Sequence, residues 1–202
     1  MNGRLSREEL LNLGFQHLGE DVIISDTAKF YGASNMTIGN HVRIDDYSIF
    51  VGKIEIGSYV HIGAFASLHA SSGSIKIHDF SGISSRVTIY AASDDFSGNY
   101  MMGYGVPNSF RHTISSNVII SSFCHVGTGS TLLPGAKMSE GSVIGAMSLV
   151  MIRTEPWFIY SGNPCEKKNK RSMREKEMSQ QLIEKTGIEA NYDIKSEVID
   201  ER

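Results

Sequence analysis

Side chains that can move a proton near neutral pH stand at three places in this sequence of 202 residues. His69 lies in the first half, Asp94 and Asp95 follow in the stretch IYAASDDFSGNYMMGYG, and His125 comes later. An imidazole that a carboxylate holds in one tautomer is an effective general base. Whether these residues act together depends on the elements that position them.

The repeat of apolar residues identifies those elements. Aliphatic or aromatic residues recur every six positions at Ile38, Ile44, Phe50, Ile56, Ile62 and Leu68, then at Ile77, Ile83 and Ile89, then at Ile114, Ile120, Val126, Leu132, Met138, Ile144 and Val150. This period fits neither a helix of about 3.6 residues per turn nor a sandwich with turns every roughly 8 to 12 residues. It fits a solenoid with a corner after each short strand. Glycines directly after the repeated residue, as at Gly63 and Gly127, are expected to provide left-handed backbone there.

The repeat is interrupted between Ile89 and Ile114, which are 25 positions apart where six would suffice, so 19 residues are expected to be extruded at one corner. If one coil comprises three hexads, this register brings His69, Tyr90 and the Gly127–Thr128 turn to the edge from which the loop with its two aspartates leaves. Loops of this length within a compact domain are often functional, so this edge is the candidate site. A solvated acidic turn is the alternative.

The segments ITIGNHVRIDDYS and IEIGSYVHIGAFA resemble the hexapeptide repeats of the left-handed β-helix acyltransferases. From Ile114 to Arg171 the chain resembles the C-terminal signature of the galactoside, maltose and xenobiotic acetyltransferase group. The run SGISSRVTIYAASDDFSG is similar to the branch that O-acetylates sugars and polysaccharides. The resemblance implies an all-β solenoid, a left-handed parallel β-helix that is triangular in section.

The same resemblance implies a homotrimer that binds acetyl-CoA in the groove between neighbouring prisms. The implied cofactor-binding residues are the turns Gly127, Thr128, Gly145, Ala146 and Ser148, and the basic residues Lys167, Lys168 and Arg171. Backbone N–H groups in such turns can stabilise charge on a thioester carbonyl, and basic side chains suit phosphates. A plain edge threonine at 128 and an ordinary charged cap are the alternatives.

One position departs from the family's pattern. The galactoside group carries its catalytic histidine in the extruded loop, where this chain has Asp94. Because an unperturbed carboxylate is a weak base at neutral pH, a histidine from elsewhere is expected to take the proton. His69, oriented by Asp94 or Asp95, is the first candidate, and His125 is the second. For each histidine the alternative is a corner or groove position with no proton to transfer.

The chain is expected to have three parts: an N-terminal helical segment at 1–20, the β-helix at 21–160 with its extruded loop at 91–113, and a C-terminal helical cap and tail at 161–202. Ser6, followed three residues later by Glu9, predicts a capping box at the first helix.

Composition excludes several classes of protein. The formal charge of -3 is too small to indicate a nucleic-acid partner or a membrane surface. No apolar run approaches the roughly 20 residues that span a bilayer, and no signal peptide is expected. Cys124 and Cys165 are too few for a disulfide framework, which favours the cytoplasm. No metal is expected.

These observations predict an acetyl-CoA-dependent O-acetyltransferase that acts on a sugar hydroxyl in the biosynthesis of a surface polysaccharide, O-antigen or capsule. An N-acetyltransferase of a nucleotide-linked amino sugar is the alternative, because the amine would only replace the hydroxyl. A non-catalytic binding scaffold is a third class, since the loop histidine is missing. A zinc carbonic anhydrase of the same fold is disfavoured, because His61 and His78 lack a third histidine.

Overall fold

The computed structural model describes residues 3–186, which form a parallel β-solenoid of about seven turns between two helices. The predicted β-helix of hexapeptide repeats is confirmed. The helices are α1 (Arg7–Asn12) and α2 (Arg174–Thr186). In chain order the strands are β1 (His17–Leu18), β2 (Ile23–Ile24), β3 (Lys29–Tyr31), β4 (Met36–Ile38), β5 (Arg43–Ile44), β6 (Ile49–Ile56), β7 (His61–Ile62), β8 (Ser67–Ile77), β9 (Gly82–Ile83), β10 (Thr88–Tyr90), β11 (Ala92–Asp94), β12 (Thr113–Ser115), β13 (Val118–Ile120), β14 (His125–Val126), β15 (Thr131–Leu132), β16 (Lys137–Met138), β17 (Val143–Ile144), β18 (Leu149–Val150), β19 (Phe158–Ser161) and β20 (Glu166–Lys170).

Helix α1 begins with the predicted capping box. The side chain of Ser6 accepts a hydrogen bond from the backbone N–H of Glu9, and the Glu9 carboxylate accepts one from the backbone N–H of Ser6 at 2.7 Å. Leu10 buries the inner side of this helix. The short helix therefore closes the first coil.

The strands form three parallel ladders, one on each face of the prism. The first ladder contains β1, β4, the end of β6, the end of β8, β13 and β16. The second contains β2, β5, β7, β9, β14, β17 and β19. The third contains β3, the starts of β6 and β8, β10, β15 and β18. Strands β6 and β8 bend round a corner and so belong to two ladders.

Each ladder stacks one column of apolar side chains in the core. The columns are Ile38, Ile56, Ile77, Ile120 and Met138; then Ile24, Ile44, Ile62, Ile83, Val126, Ile144 and Tyr160; then Phe50, Leu68, Ile89, Leu132 and Val150, all at most 3% exposed. Since a solenoid coil contacts only the coils above and below it, this stacking holds successive coils in register.

The predicted register is correct before the insertion and wrong after it. Ile114 does not point inward: it is 50% exposed and lies opposite Ser93 in the antiparallel pair of β11 and β12. The next residue of the three inward columns after Ile89 is Ile120, which pairs with Ile77. The insertion therefore spans 31 positions rather than 25, and every later hexad moves by one face. The register was predicted wrongly because Ile114, a residue of the hairpin, lies six positions before Ile120 and so matches the six-residue period.

The glycines at the corners have a different role from the one predicted. The left-handed residue lies two positions later, at Phe65 (φ 61) after Gly63 and at Gly129 (φ 70) after Gly127. A Cβ added to Gly127 would lie 2.5 Å from the backbone nitrogen of Ala146. Glycine is thus required because the next coil approaches closely.

The C-terminal segment begins as a strand rather than a helix. Strand β20 pairs antiparallel with β19, and the chain becomes helical only at Arg174. The predicted tail beyond Thr186 lies outside the described residues. Helix α2 is fixed to the coils by Lys176, which donates to Glu140 at 2.7 Å.

Candidate active site

The residues that the sequence assigned to one edge lie at two corners of the prism. The first, here called the loop corner, follows the third ladder: Tyr90 pairs with His69, and β11 carries Asp94. The second, here called the glycine corner, follows the second ladder and contains Gly63, Ser84, Ser85, Gly127, Thr128, Gly145 and Ala146. The prediction of a single edge is wrong, because the longer insertion moves the Gly127–Thr128 turn to another face.

At the loop corner His69 is half-buried. Its Nε2 lies 2.7 Å from the hydroxyl oxygen of Ser67, and its ring stacks on Tyr90 with centroids 5.2 Å apart. Burial lowers the pKa of His69, because the charged imidazolium is poorly solvated there. A neutral imidazole is therefore the form expected at pH 7.

The two aspartates of the loop are held by neighbours within the loop. Asp94 accepts hydrogen bonds from Arg111 Nη2 at 3.2 Å and from the backbone N–H of Gly103 at 3.3 Å. Asp95 is partly exposed, and hydrogen bonds from Ser97 lower its pKa. Within residues 3–186 His69 forms no hydrogen bond or ion pair with either loop aspartate, so the predicted couple does not form in one chain, and Asp94 pairs with Arg111 instead.

The glycine corner presents backbone donors. The Thr128 hydroxyl donates to the carbonyl of Ser85 at 2.7 Å, which fixes the turn. Among the hydrogen bonds of residues 3–186, none uses the backbone N–H of Thr128 or of Ala146. Because Gly127 allows the two turns to pack closely, these N–H groups lie on adjoining coils. Such a pair can bind a carbonyl oxygen on which negative charge develops.

Two of the predicted cofactor residues have internal contacts. Ser148 is 3% exposed, and its hydroxyl donates to the carbonyl of Gly145 at 2.7 Å. The guanidinium of Arg171 donates to the carbonyl of Phe123 at 2.6 Å and also bonds Glu175. The Ser148 side chain is thus turned into the core, and Arg171 joins the C-terminal segment to the coils.

The two lysines of the predicted basic cluster are more accessible. Lys167 pairs with Glu155 at 2.7 Å and lies 3.9 Å from the centre of the Phe158 ring. Lys168 pairs with Glu166 at 3.1 Å. A phosphate that binds here must compete with these carboxylates.

His125 lies beside the glycine corner, on β14. Its Nε2 is 2.8 Å from Glu175 Oε1, and the other oxygen of that carboxylate bonds Arg171. A Cβ added to Gly82 would lie 2.6 Å from His125 Nδ1, so this nitrogen is turned toward the space above Gly82. Glu175 on α2 therefore orients the ring and leaves Nδ1 as the ring nitrogen that faces Gly82.

A cleft of about 310 Å³ opens at this face. It is lined by Asp45, His61, Gly63, Gly82, Ile83, Ser84, Ser85 and His125. A larger cleft of about 420 Å³ under α2 has a mostly apolar lining and lies away from the backbone donors. The smaller cleft is the better candidate, because it adjoins both His125 and the Gly127–Thr128 turn.

The sequence prediction missed His61 and Asp45. His61 Nε2 lies 2.7 Å from Asp45 Oδ2, and Arg43 Nε donates to the other oxygen of Asp45 at 2.7 Å. Burial raises the pKa of Asp45, but hydrogen bonds from His61 and Arg43 outweigh it and lower the pKa overall. The signal was present: the register before the insertion is correct and already assigns Asp45 and Gly63 to one corner.

Other reactive groups are accounted for within the described chain. Burial raises the pKa of the Cys124 thiol to about 11, which makes it a packing residue rather than a nucleophile. Among residues 3–186 no group of three histidine, cysteine or carboxylate side chains is arranged to hold a metal ion. In the same range no helix has the length and apolar character needed to cross a membrane.

Comparison with known proteins agrees with this architecture. Residues 35–70 match the family model described as bacterial transferase hexapeptide (six repeats). The dTDP-4-amino-4,6-dideoxy-D-glucose acyltransferase of Escherichia coli is 39% identical over 173 residues, which cover 84% of this chain and 90% of that protein.

Solved structures give the same relationship. AntD, an N-acyltransferase from Bacillus cereus in complex with dTDP and 3-hydroxybutyryl-CoA, is 39% identical with a TM-score of 0.90, covering 93% of this chain and 100% of that one. A serine-to-cysteine mutant of the same protein, in complex with dTDP-4-amino-4,6-dideoxyglucose and Coenzyme A, has a TM-score of 0.89 at 39% identity, covering 92% and 99%. Fold, repeat and near full-length similarity lead to one conclusion: the chain belongs to the hexapeptide-repeat acyltransferases, a family of acyl-CoA-dependent enzymes.

Proposed function

We propose that this protein is an N-acyltransferase that transfers an acyl group from acyl-CoA to the amino group of a dTDP-linked amino sugar. The observation that carries the proposal is the similarity to an acyltransferase of dTDP-4-amino-4,6-dideoxy-D-glucose. The two sequences are 39% identical over a segment that covers 84% of this chain and 90% of that protein. The similarity supports the amine alternative better than the sugar O-acetylation predicted first from the sequence.

The proposed donor site is the glycine corner. The thioester carbonyl would accept hydrogen bonds from the backbone N–H groups of Thr128 and Ala146, with Gly127 and Gly145 keeping the turns close. Lys167 and Lys168 would contact the phosphates of CoA. As the amine attacks the thioester, His125 Nδ1 would accept a proton from nitrogen, because Glu175 already bonds its Nε2 at 2.8 Å.

The proposed assembly is a homotrimer. The loop corner with His69 and Asp94 lies on a different edge from the glycine corner, so one chain does not join them. Exposed apolar side chains flank the glycine corner, with Phe65 51% and Met147 74% exposed, and Met151 on the third face is 52% exposed. A neighbouring copy that covers them would bring its loop, with Asp94, toward the acceptor cleft.

The reaction is proposed to take place in the cytoplasm. Cys124 and Cys165 are both free thiols, which suits a reducing compartment.

Thiol release from acetyl-CoA and from 3-hydroxybutyryl-CoA tests the function. The matched acceptors are dTDP-4-amino-4,6-dideoxyglucose and its 4-hydroxy counterpart, which differ in one group. We expect kcat/KM to favour the amine by about 100-fold or more, because the cleft must handle a nitrogen proton. Equal or greater turnover of the 4-hydroxy compound would instead support the O-acyltransferase that was predicted first from the sequence. Binding of CoA without turnover of either acceptor would instead support a binding scaffold.

A further inference from the structure

His61 and Asp45 form a second imidazole–carboxylate pair on the same face as His125. Strand β7 pairs with β9 and β9 pairs with β14, so Gly82 lies in register between the two histidines. Since neighbouring strands are about 4.8 Å apart, the two histidine Cα atoms lie on the order of 10 Å apart. Gly82 has no side chain, so the His125 ring can lie over it, and His61, Gly82 and His125 line one cleft together.

Both rings are held by a carboxylate but face the same opening. Asp45 Oδ2 lies 2.7 Å from His61 Nε2, and Glu175 Oε1 lies 2.8 Å from His125 Nε2. The His61 side chain is 57% exposed and that of His125 is 42% exposed. Two oriented imidazoles on opposite sides of one cleft can handle two different protons.

An amine acceptor has two protons to lose, whereas a hydroxyl acceptor has one. Aliphatic amines have pKa values of about 8 to 10, so at pH 7 the acceptor is mostly an ammonium ion, which has no lone pair for attack. One proton must leave before the C–N bond forms. The second leaves the nitrogen as the C–S bond breaks.

We propose that His61 is a catalytic residue that accepts the first proton, from the acceptor ammonium, and that Asp45 is its positioning residue. The inference rests on the proposed N-acyl transfer. The free amine attacks the thioester carbon, and the tetrahedral intermediate collapses with loss of the CoA thiolate, which receives the second nitrogen proton through His125. His61 returns its proton to water, so one ammonium and one acyl-CoA give one amide, one CoA thiol and one proton.

The charges around His61 are consistent with this role. Arg43 and Asp45 face it from β5 and the corner that follows, and His125 faces it across Gly82. Arg4 and Asp46 line the neighbouring cleft on the far side of Asp45. Asp45 keeps the imidazole in a fixed orientation, while hydrogen bonds from His61 and Arg43 outweigh burial and lower the pKa of Asp45.

The test is the pH dependence of kcat/KM for the amino sugar in wild type, His61→Gln, Asp45→Asn and His41→Gln. His41 is the matched control: it pairs with Asp21 at 3.4 Å and stacks on Tyr59 outside the cleft. We expect His61→Gln to lower kcat/KM by about 100-fold at pH 7. The loss should shrink to under roughly 5-fold near pH 10, where the amine loses its own proton. Asp45→Asn should change the profile in the same direction by less, and His41→Gln should match wild type.

Kinetics at the two pH values and the affinity for dTDP together decide the outcome. An equal loss at both pH values, or no loss at pH 7, would overturn the role of His61. Affinity for dTDP, measured by calorimetry, should stay unchanged in every variant, and a change would assign His61 to acceptor binding instead. If His61→Gln does not fold, Asp45→Asn retains the ring and carries the same prediction. If wild type acylates no amine at any pH, the proposed function itself fails.

Discussion

The loop corner and the glycine corner lie on the same prism, yet they are built in opposite ways. At the glycine corner the same step of the hexad supplies Gly63, Ser84, Gly127 and Gly145 on successive coils, so backbone pairing fixes every position. At the loop corner the chain leaves the repeat, and Asp94 is held by Arg111 from the same loop. In the proposed function, the repeat would provide a rigid surface for the acyl-CoA donor, whereas the inserted loop would vary with the acceptor.

The largest expected effect is the difference in kcat between a variant beside the glycine corner and a variant at the loop corner. His125→Gln should lower kcat by about 100-fold to 10,000-fold, because the proposed proton acceptor is lost. His69→Gln should lower it by far less, since His69 already bonds Ser67. Steady-state kinetics with the amino-sugar acceptor measures both. A greater loss for His69→Gln would move the chemistry to the loop corner.

Mixed trimers show whether the loop corner of one copy meets the glycine corner of a neighbouring copy. A variant with residues 96–111 replaced by two glycines lacks the loop but retains the hairpin pair of β11 and β12. We expect it to be nearly inactive alone. Co-expressed in equal amounts with His125→Gln, it should recover about a quarter of wild-type activity, since about one in four random interfaces joins an intact loop to an intact glycine corner.

Light scattering of the same mixture should give a trimer mass. Recovery of activity in a mixture that is monomeric would contradict a site built between copies.

A stability difference sharpens the structural comparison. Gly127→Ala should destabilise the protein by about 1–3 kcal/mol, because a Cβ there overlaps the backbone of Ala146. Gly105→Ala in the loop is the matched control: nothing lies within 4 Å of its Cβ, and we expect a change within about 0.5 kcal/mol. Chemical denaturation measures both. Equal effects would mean that the glycine corner is less tightly packed than the coil pairing requires.

The smallest expected effect is on stability against pH. Burial lowers the pKa of His69 and, with a contribution from Lys76, that of His78. An unfolded imidazole titrates near pH 6.5, so below this the unfolded chain binds more protons than the folded one. The free energy of unfolding should therefore fall as the pH drops from 7 to 5. His78→Gln should flatten this slope, whereas an unchanged slope would mean that His78 titrates normally when folded.

Much of the fold could be predicted from the sequence because each hexad is a local unit. The inward columns up to Ile89 and the Ser6–Glu9 capping box needed only short-range spacing. The predicted turns at Gly127 and Gly145 were located correctly along the chain, but their neighbours were assigned wrongly. His61 was overlooked although the predicted register is correct there and already aligns its coil with the preceding coil, on which its partner Asp45 lies 16 residues away.

The sequence by itself determined the repeat, the solenoid and the family, because a six-residue period permits few other ways to bury an aliphatic residue at every step. Only the tertiary structure decided which face each later coil residue occupies, since that depends on the pairing of Ile114 with Ser93 in a hairpin. It also decided the pairing of His125 with Glu175, which are 50 residues apart. Contacts of this kind arise when a helix folds back on a finished solenoid, and no local spacing encodes them.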